Sequence, residues 1–299
     1  MKTICIALSL ALLIGCGSKK APDEKAFEAS MDSLNNQAPK INDEVVTALL
    51  DQIPSPLEIS MMLKQSGSKY NSSILNSPDN LAKYNSNYKK ALNMGIYGAD
   101  LGYTNIYGQN MDGVRYLSTI KSLADDLNLG QFFDIATIAK LATNSDNLDS
   151  LLLVTTQNFN AINHYLQTEN RSNLSILLLV GGWIEAMEIM CQVAESQNFK
   201  NKEIVDRIGE QKIILEQIAI LLSLYKSDNS TAELIKDFEE LNKIFEAVNI
   251  TYTYKESTMK IVNGVAMIED NSTTTITITD KDAMAIKGKI DSMRNKIIN

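Results

Sequence analysis

Read for its hydrophobic and polar positions, the chain divides into many stretches of helical period and one short stretch of strand period. The most apolar part beyond the N-terminal segment is residues 174–194, LSILLLVGGWIEAMEIMCQVA. Its first half is apolar on every side, the mark of a helix surrounded by other helices. Its second half carries a polar line. At 3.6 residues per turn, Gly181, Glu185, Glu188, Gln192 and Glu195 fall within about 80° of one another. Other stretches repeat the helical spacing. Residues 40–52 put Ile41, Val45, Ala48 and Leu49 on one face. Ser55-Pro56-Leu57-Glu58 has the form of a capping box with proline at the first helical position, and that helix should end at Gly67. Further helices are predicted over 114–127, closed by Asn128-Leu129-Gly130, and over 132–142, 148–166 and 203–225. A second capping box, Ser230-Thr231-Ala232-Glu233, starts a helix that turns Leu234, Phe238, Leu241, Phe245 and Val248 inward. Its charges, Asp237 among them, are assigned to a solvated face.

Residues 91–108, ALNMGIYGADLGYTNIYG, form a distinct case. As a helix they align Ala91, Gly95, Gly98, Ala99, Gly102 and Ile106. Each glycine weakens a helix interior by about 1 kcal/mol relative to alanine, so the stripe implies close approach of a neighbouring helix. The other side carries Tyr97, Asp100, Thr104 and Tyr107. It reads either as tyrosines at a core edge with Asp100 bonded to one of them, or as a small polar pocket lined by aromatics.

From Asn249 the period changes. Ile250-Thr251-Tyr252-Thr253-Tyr254 alternates, as do residues 273–279, and 259–268 is rich in β-branched residues around the tight-turn signal Asn263-Gly264. Two or three short antiparallel strands are expected. Thr279-Asp280 then opens a last helix with Ala283, Ile286, Ile290, Met293 and Ile297 in register. Its other face is basic (Lys281, Lys287, Lys289, Arg294, Lys296), and it is expected to cover the preceding sheet rather than lie on a membrane. The fold expected is mainly α. It is an irregular multi-helix bundle over 41–249, with a small C-terminal antiparallel β-hairpin or meander and a final helix over 250–299 packed on that body.

Composition narrows the function classes. All five prolines lie within the first 78 of 299 residues, so the remainder is free of the strongest helix breaker. The net charge of -8 argues against nucleic acid, whose phosphates require a basic face. One histidine, His164, and three cysteines leave no ligand set for a zinc or haem site, and no metal or cofactor is expected. Nucleophile-elbow, zinc-protease, phosphate-loop and EF-hand patterns are all missing from the sequence. Cys191 sits on the apolar side of the central helix and reads as a small hydrophobe without a disulfide partner.

Glu185 and Glu188 are the remaining candidate chemistry. Two carboxyls can perform acid–base work when their surroundings push their pKa values apart. They equally fit water-facing or ion-paired structural acids. Gly181, followed by Gly182, lies one turn before Glu185 and notches the helix beside the acid. Notch and acid together define a candidate ligand or partner site, with Tyr97 and Asp100 as its facing wall.

The N-terminal segment resembles the lipobox signal of bacterial lipoproteins. Lys2 is its positive region and residues 4–14 its apolar core. Leu13-Ile14-Gly15-Cys16 is the box itself, so 1–15 would be a signal peptide removed on export. The resemblance implies that Cys16 becomes the first mature residue and carries the lipid, with palmitate as an expected acyl chain. Residues 16–40 would be its flexible tether. More than one acyl chain is needed for stable anchoring, as in that family. Gly17-Ser18 lack the inner-membrane retention signal, which points to the outer membrane and its periplasmic face. Ile53-Pro54-Ser55-Pro56, the glycine- and tyrosine-rich helix, and Gly181-Gly182-Trp183 followed by glutamate also resemble uncharacterised helical envelope lipoproteins. The function expected is a non-catalytic binding or adaptor module, taking an envelope protein or a small ligand. The alternatives are an envelope hydrolase using Glu185 and Glu188, and a structural spacer.

Overall fold

Proline lacks the N–H that a first helical turn leaves unbonded anyway, and the first described helix of the computed structural model runs from Pro56. The structure describes residues 56–133, 158, 161–169, 171–224, 231–262, 265–269 and 271–299. All of them belong to one compact unit, Ile41–Asn299. In chain order the helices are α1 (Pro56–Gln65), α2 (Asn87–Ile106), α3 (Asn110–Asp126), α4 (Ser172–Ser196), α5 (Lys202–Ser223), α6 (Ala232–Phe245) and α7 (Asp280–Ile298). Residues 161–168 are also helical, with His164 exposed on them. Between α6 and α7 run β1 (Asn249–Thr253), β2 (Thr258–Val262), β3 (Val265–Glu269) and β4 (Thr273–Thr277). The chain is thus mainly helical with a small antiparallel insert, as the periodicity predicts. The helix expected over 40–52, residues 134–142 of the one expected over 132–142, residues 148–157 of the one expected over 148–166, the lipobox, Ser55 and Asn263-Gly264 lie outside the described residues.

Local chemistry explains most boundaries. Ser86 caps α2 by accepting from the Lys89 amide, and Asn201 caps α5 by accepting from that of Ile204. Thr279 and Asp282 form a reciprocal capping box at α7, which also holds the Asp282 carboxyl below its usual range. Helix α6 starts at Ala232 behind Thr231, which makes no side-chain cap bond, and Ser230 of the second expected capping box lies outside the described residues. At the end of α3 it is Asn128, at φ 57°, that enters the left-handed region, while Gly130 begins a short 3-10 turn.

Helix α4 is the axis of the body. Over 174–194 only Leu179 and Gln192 escape full burial. It is long and apolar enough to cross a membrane, yet its most apolar window is entirely enclosed by the rest of the protein. It is a core helix. Its most extensive partner is α2, with α7, α5 and α1 around the remainder. Glycine makes the α2–α4 crossing possible. A Cβ on Gly95 would lie 2.7 Å from the Gly182 amide nitrogen and 2.9 Å from the Leu178 carbonyl carbon. A Cβ on Gly181 would lie 2.8 Å from the Leu92 carbonyl carbon. Each helix thus supplies a glycine where the other's backbone passes. Gly98 does not share this role, having no atom within 4 Å of its Cβ position.

Among the described residues the strands number four, one more than the upper expectation. β1 pairs with β4 (Ile250 opposite Ile276), and β2 pairs with β3 (Met259 opposite Ile268), both antiparallel, so one hairpin is nested inside another. The β1–β4 ribbon roots on α5. Gly209 opens the space, since a Cβ there would meet the Ile276 side chain at 2.7 Å. The expected cover for the strands is not α7. That helix packs mainly on α4 and α6, because Ala283, Ile286, Ile290, Met293 and Ile297 are all buried and belong on an apolar surface that a threonine-rich ribbon does not offer.

Candidate functional site

The acidic line of α4 faces inward at Glu185 and Glu188, and reaches solvent at Glu195. Glu185 is completely buried and Glu188 is 4% exposed. What faces them is α7, running antiparallel, whose charges repeat the same three-residue spacing as the two acids. Arg294 grips Glu185 with two parallel bonds, Nε to Oε2 and Nη2 to Oε1, both 2.6 Å. One turn on, Asp291 faces Glu188. Two further turns along, Lys287 reaches Glu195 at 3.3 Å and also holds Asp291 at 2.7 Å. The result is a ladder of three rungs, in which the outer two are ion pairs and the middle one is acid against acid.

At the Glu185 rung the junction widens to include the chain before α2. The second guanidinium nitrogen of Arg294 also donates to the Ile74 carbonyl at 3.0 Å. Asn76 donates its backbone N–H to Asp100 Oδ2 (3.2 Å) and its amide to Tyr84 (3.1 Å) and Asn93 (3.4 Å). Asn93 in turn donates to the Ile297 carbonyl at 3.2 Å, tying α2 to the end of α7. Burial and the adjoining Glu185 raise the Asp100 carboxyl well above the usual carboxylate range. Asp100 Oδ1 is buried without a hydrogen-bond partner, and the nearby Glu185 carboxyl adds to burial in disfavouring a second negative charge there. Burial opposes the charge of Arg294, but Glu185 and Asp100 outweigh it and hold the guanidinium firmly protonated.

The notch residues occupy this region differently from the open site that the sequence implies. The notch at Gly181 is filled by the α2 backbone at Leu92, and the Gly182 amide passes directly against Gly95, because a helix crossing this close leaves no room for a side chain or a ligand. Asp100 does meet Glu185, so that part of the proposed wall is brought together. Tyr97 is not. It is fully buried, donates to the Ser77 carbonyl at 2.9 Å and packs against Tyr84 and Tyr116 at 6.2 and 6.0 Å. Asp100 is bonded to backbone and to another acid, not to a tyrosine. Cys191 is fully buried beside this ladder, and burial together with Glu188 pushes its thiol up, as befits an inert hydrophobe.

Three α7 participants are absent from the sequence-based site: Arg294, Asp291 and Lys287. The signal for them was the spacing itself. Arg294 adjoins the apolar residue Met293, and the 291/294 pair mirrors 185/188 in reverse, as an antiparallel neighbour of an acidic line should. Asp237 is a similar case. Far from solvated, it is 5% exposed between Lys289 (2.8 Å) and Lys296 (2.9 Å). Burial alone would raise its carboxyl, but the two ammonium groups hold it below the usual range. The basic face of α7 is therefore largely spent on internal partners.

Chemically, this junction positions helices and retains protons. Both Glu185 oxygens are engaged by the Arg294 guanidinium. Among the described residues no group of three metal-ligating side chains occurs. The class that fold and site define is a helical body locked by a buried ionic ladder, with a β-ribbon standing on it. No family model, curated protein or solved structure matches the chain.

Proposed function

We propose that this protein is a lipid-anchored module of the bacterial cell envelope, held by Cys16 on the periplasmic face of the outer membrane. Its helical body supports a binding ribbon, and it acts by docking a protein partner without catalysis. The observation that carries this reading is the surface of the ribbon. Tyr252, Tyr254 and Met259 are 61%, 71% and 72% exposed within eight residues of one another. An isolated two-stranded ribbon is marginal in water, and both of its edges offer unpaired N–H and C=O groups. A partner segment adding as a further strand would pair that edge and cover the tyrosines. The burial of Glu185 against Arg294 weighs against the hydrolase alternative.

The test joins two variants of the full chain. Cys16→Ser should shift the protein from the membrane to the soluble fraction. Tyr252→Ser combined with Tyr254→Ser should leave membrane association and urea stability unchanged. It should lower, by tenfold or more, recovery of any stoichiometric partner captured from detergent-solubilised membranes. Unchanged membrane association of Cys16→Ser would defeat the anchor, and undiminished partner recovery in the double variant would defeat the ribbon.

A further inference from the structure

The middle rung of the ladder is chemically odd. Glu188 Oε2 and Asp291 Oδ1 are both buried, and neither has an N–H or O–H partner. The other sides of both carboxyls are satisfied. Gln192 donates to Glu188 Oε1 at 2.8 Å, and Lys287 holds Asp291 Oδ2 at 2.7 Å. Two acids that face each other in this way leave two orphaned oxygens and two like charges if both are ionised. A single proton between them removes both defects.

We propose that Glu188 and Asp291 share one proton, and that this proton is a latch joining α7 to α4, closed in acid and loosened as the solution becomes alkaline. The surroundings set its range. From α7 the charged groups facing Glu188 are Asp291, Arg294 and, through Asp291, Lys287. From α4 itself come Gln192, Cys191 and, at the neighbouring rungs, Glu185 and Glu195. Helix α2 contributes Asp100, which engages Glu185 and Arg294. Helix α5 presents the uncharged Gln211 to Trp183, and the Lys64 ammonium of α1 is bonded to the Ile106 carbonyl. Burial first, and the Asp291 carboxyl second, push Glu188 up to about 8 from an ordinary 4.5. A carboxyl raised in the folded state gives stability that is complete below its unfolded value. That stability is lost as pH rises through the folded one. The window is therefore about pH 4.5 to 8, and the equilibrium constant for opening rises by up to tenfold per pH unit within it.

Glu188→Gln is the informative variant. Its amide N–H replaces the shared proton towards Asp291, and its carbonyl still accepts from Gln192, so the latch stays closed at every pH. Expected in the wild-type chain is a protonated-carboxyl C=O stretch in the infrared at pH 6, fading by pH 9. Over the same range, exchange of α7 amides, corrected for intrinsic rates, should accelerate at least tenfold relative to α2. In Glu188→Gln the band should diminish and the pH dependence of α7 exchange should vanish. Asp291→Asn places the donor on the other helix and should flatten exchange in the same way. If the wild-type band is unchanged in Glu188→Gln, or if α7 exchange follows α2 from pH 6 to 9, the latch does not exist. Even if neither variant folds, absence of a titrating carboxyl band in the wild-type chain overturns the shared proton.

Discussion

Gly95 and Gly98 are three residues apart on α2, and replacing each by alanine should move stability in opposite directions. Alanine is intrinsically better than glycine in a helix by about 1 kcal/mol. At Gly98 nothing lies within 4 Å of the added methyl, so the full gain of about 1 kcal/mol should appear. At Gly95 the methyl would lie 2.9 Å from the Leu178 carbonyl carbon, with the carbonyl oxygen nearer still. Ordinary carbon–carbon contact begins at about 3.5 Å, so the two helices must part by at least about 0.6 Å at the crossing. A radial gap of roughly 0.5 to 1 Å forfeits a quarter to a half of the contact energy of the atoms it separates. Here it runs along the most extensive helix pair in the described structure. The obstacle is backbone and cannot rotate away. After subtraction of the propensity gain, Gly95→Ala should cost about 3 kcal/mol or more, at or beyond the top of the usual range of roughly 1–3 kcal/mol for core overpacking. Urea denaturation followed by the emission of Trp183, the only tryptophan, measures both variants. Equal midpoints for Gly95→Ala and Gly98→Ala would refute the close crossing of α2 and α4.

The ionic junction makes two further predictions. Arg294→Ala should cost about 3–5 kcal/mol, because it strands Glu185 beside Asp100 without a cation. Glu185→Gln should cost distinctly less, since Asp100 can then ionise and serve as the counter-ion. Equal losses in urea titrations of the two variants would mean that Asp100 is not such a reserve. Asp237 tests the acid side: its lowered carboxyl gives stability that is present above the ordinary carboxylate range and lost as pH falls below about 4. Asp237→Asn should therefore be the less stable protein at pH 7 and converge with the wild type near pH 2. A constant gap across that range would contradict the ion pairs with Lys289 and Lys296.

Much of this molecule was legible along the chain, and the reasons are local. The all-round apolar run of 174–180 predicts a wrapped helix because burial on every side leaves no polar face to display. The change from period 3.6 to period two at Asn249 predicts strands because side chains alternate across a sheet. The three glycines of α2 predict a close crossing, and Gly95 provides one. Two of the expected site residues, Glu185 and Asp100, are brought into contact. Their apposition was foreseeable because both are acids on the polar sides of otherwise apolar helices.

What the tertiary structure alone decided is the meaning of those acids. A polar line on a helix can face water, a ligand or another helix, and a hydrophobic period cannot tell these apart. The docking of α7 settles it by bringing Arg294, Asp291 and Lys287 into register with Glu185, Glu188 and Glu195 from about a hundred residues away. The same long-range packing fills the glycine notch with α2, buries Asp237, and leaves the β-ribbon standing on α5 instead of beneath the last helix. Periodicity fixes which residues must leave water. Which partners they find depends on how distant segments meet, since charge pairing and close helix crossing are properties of two surfaces at once.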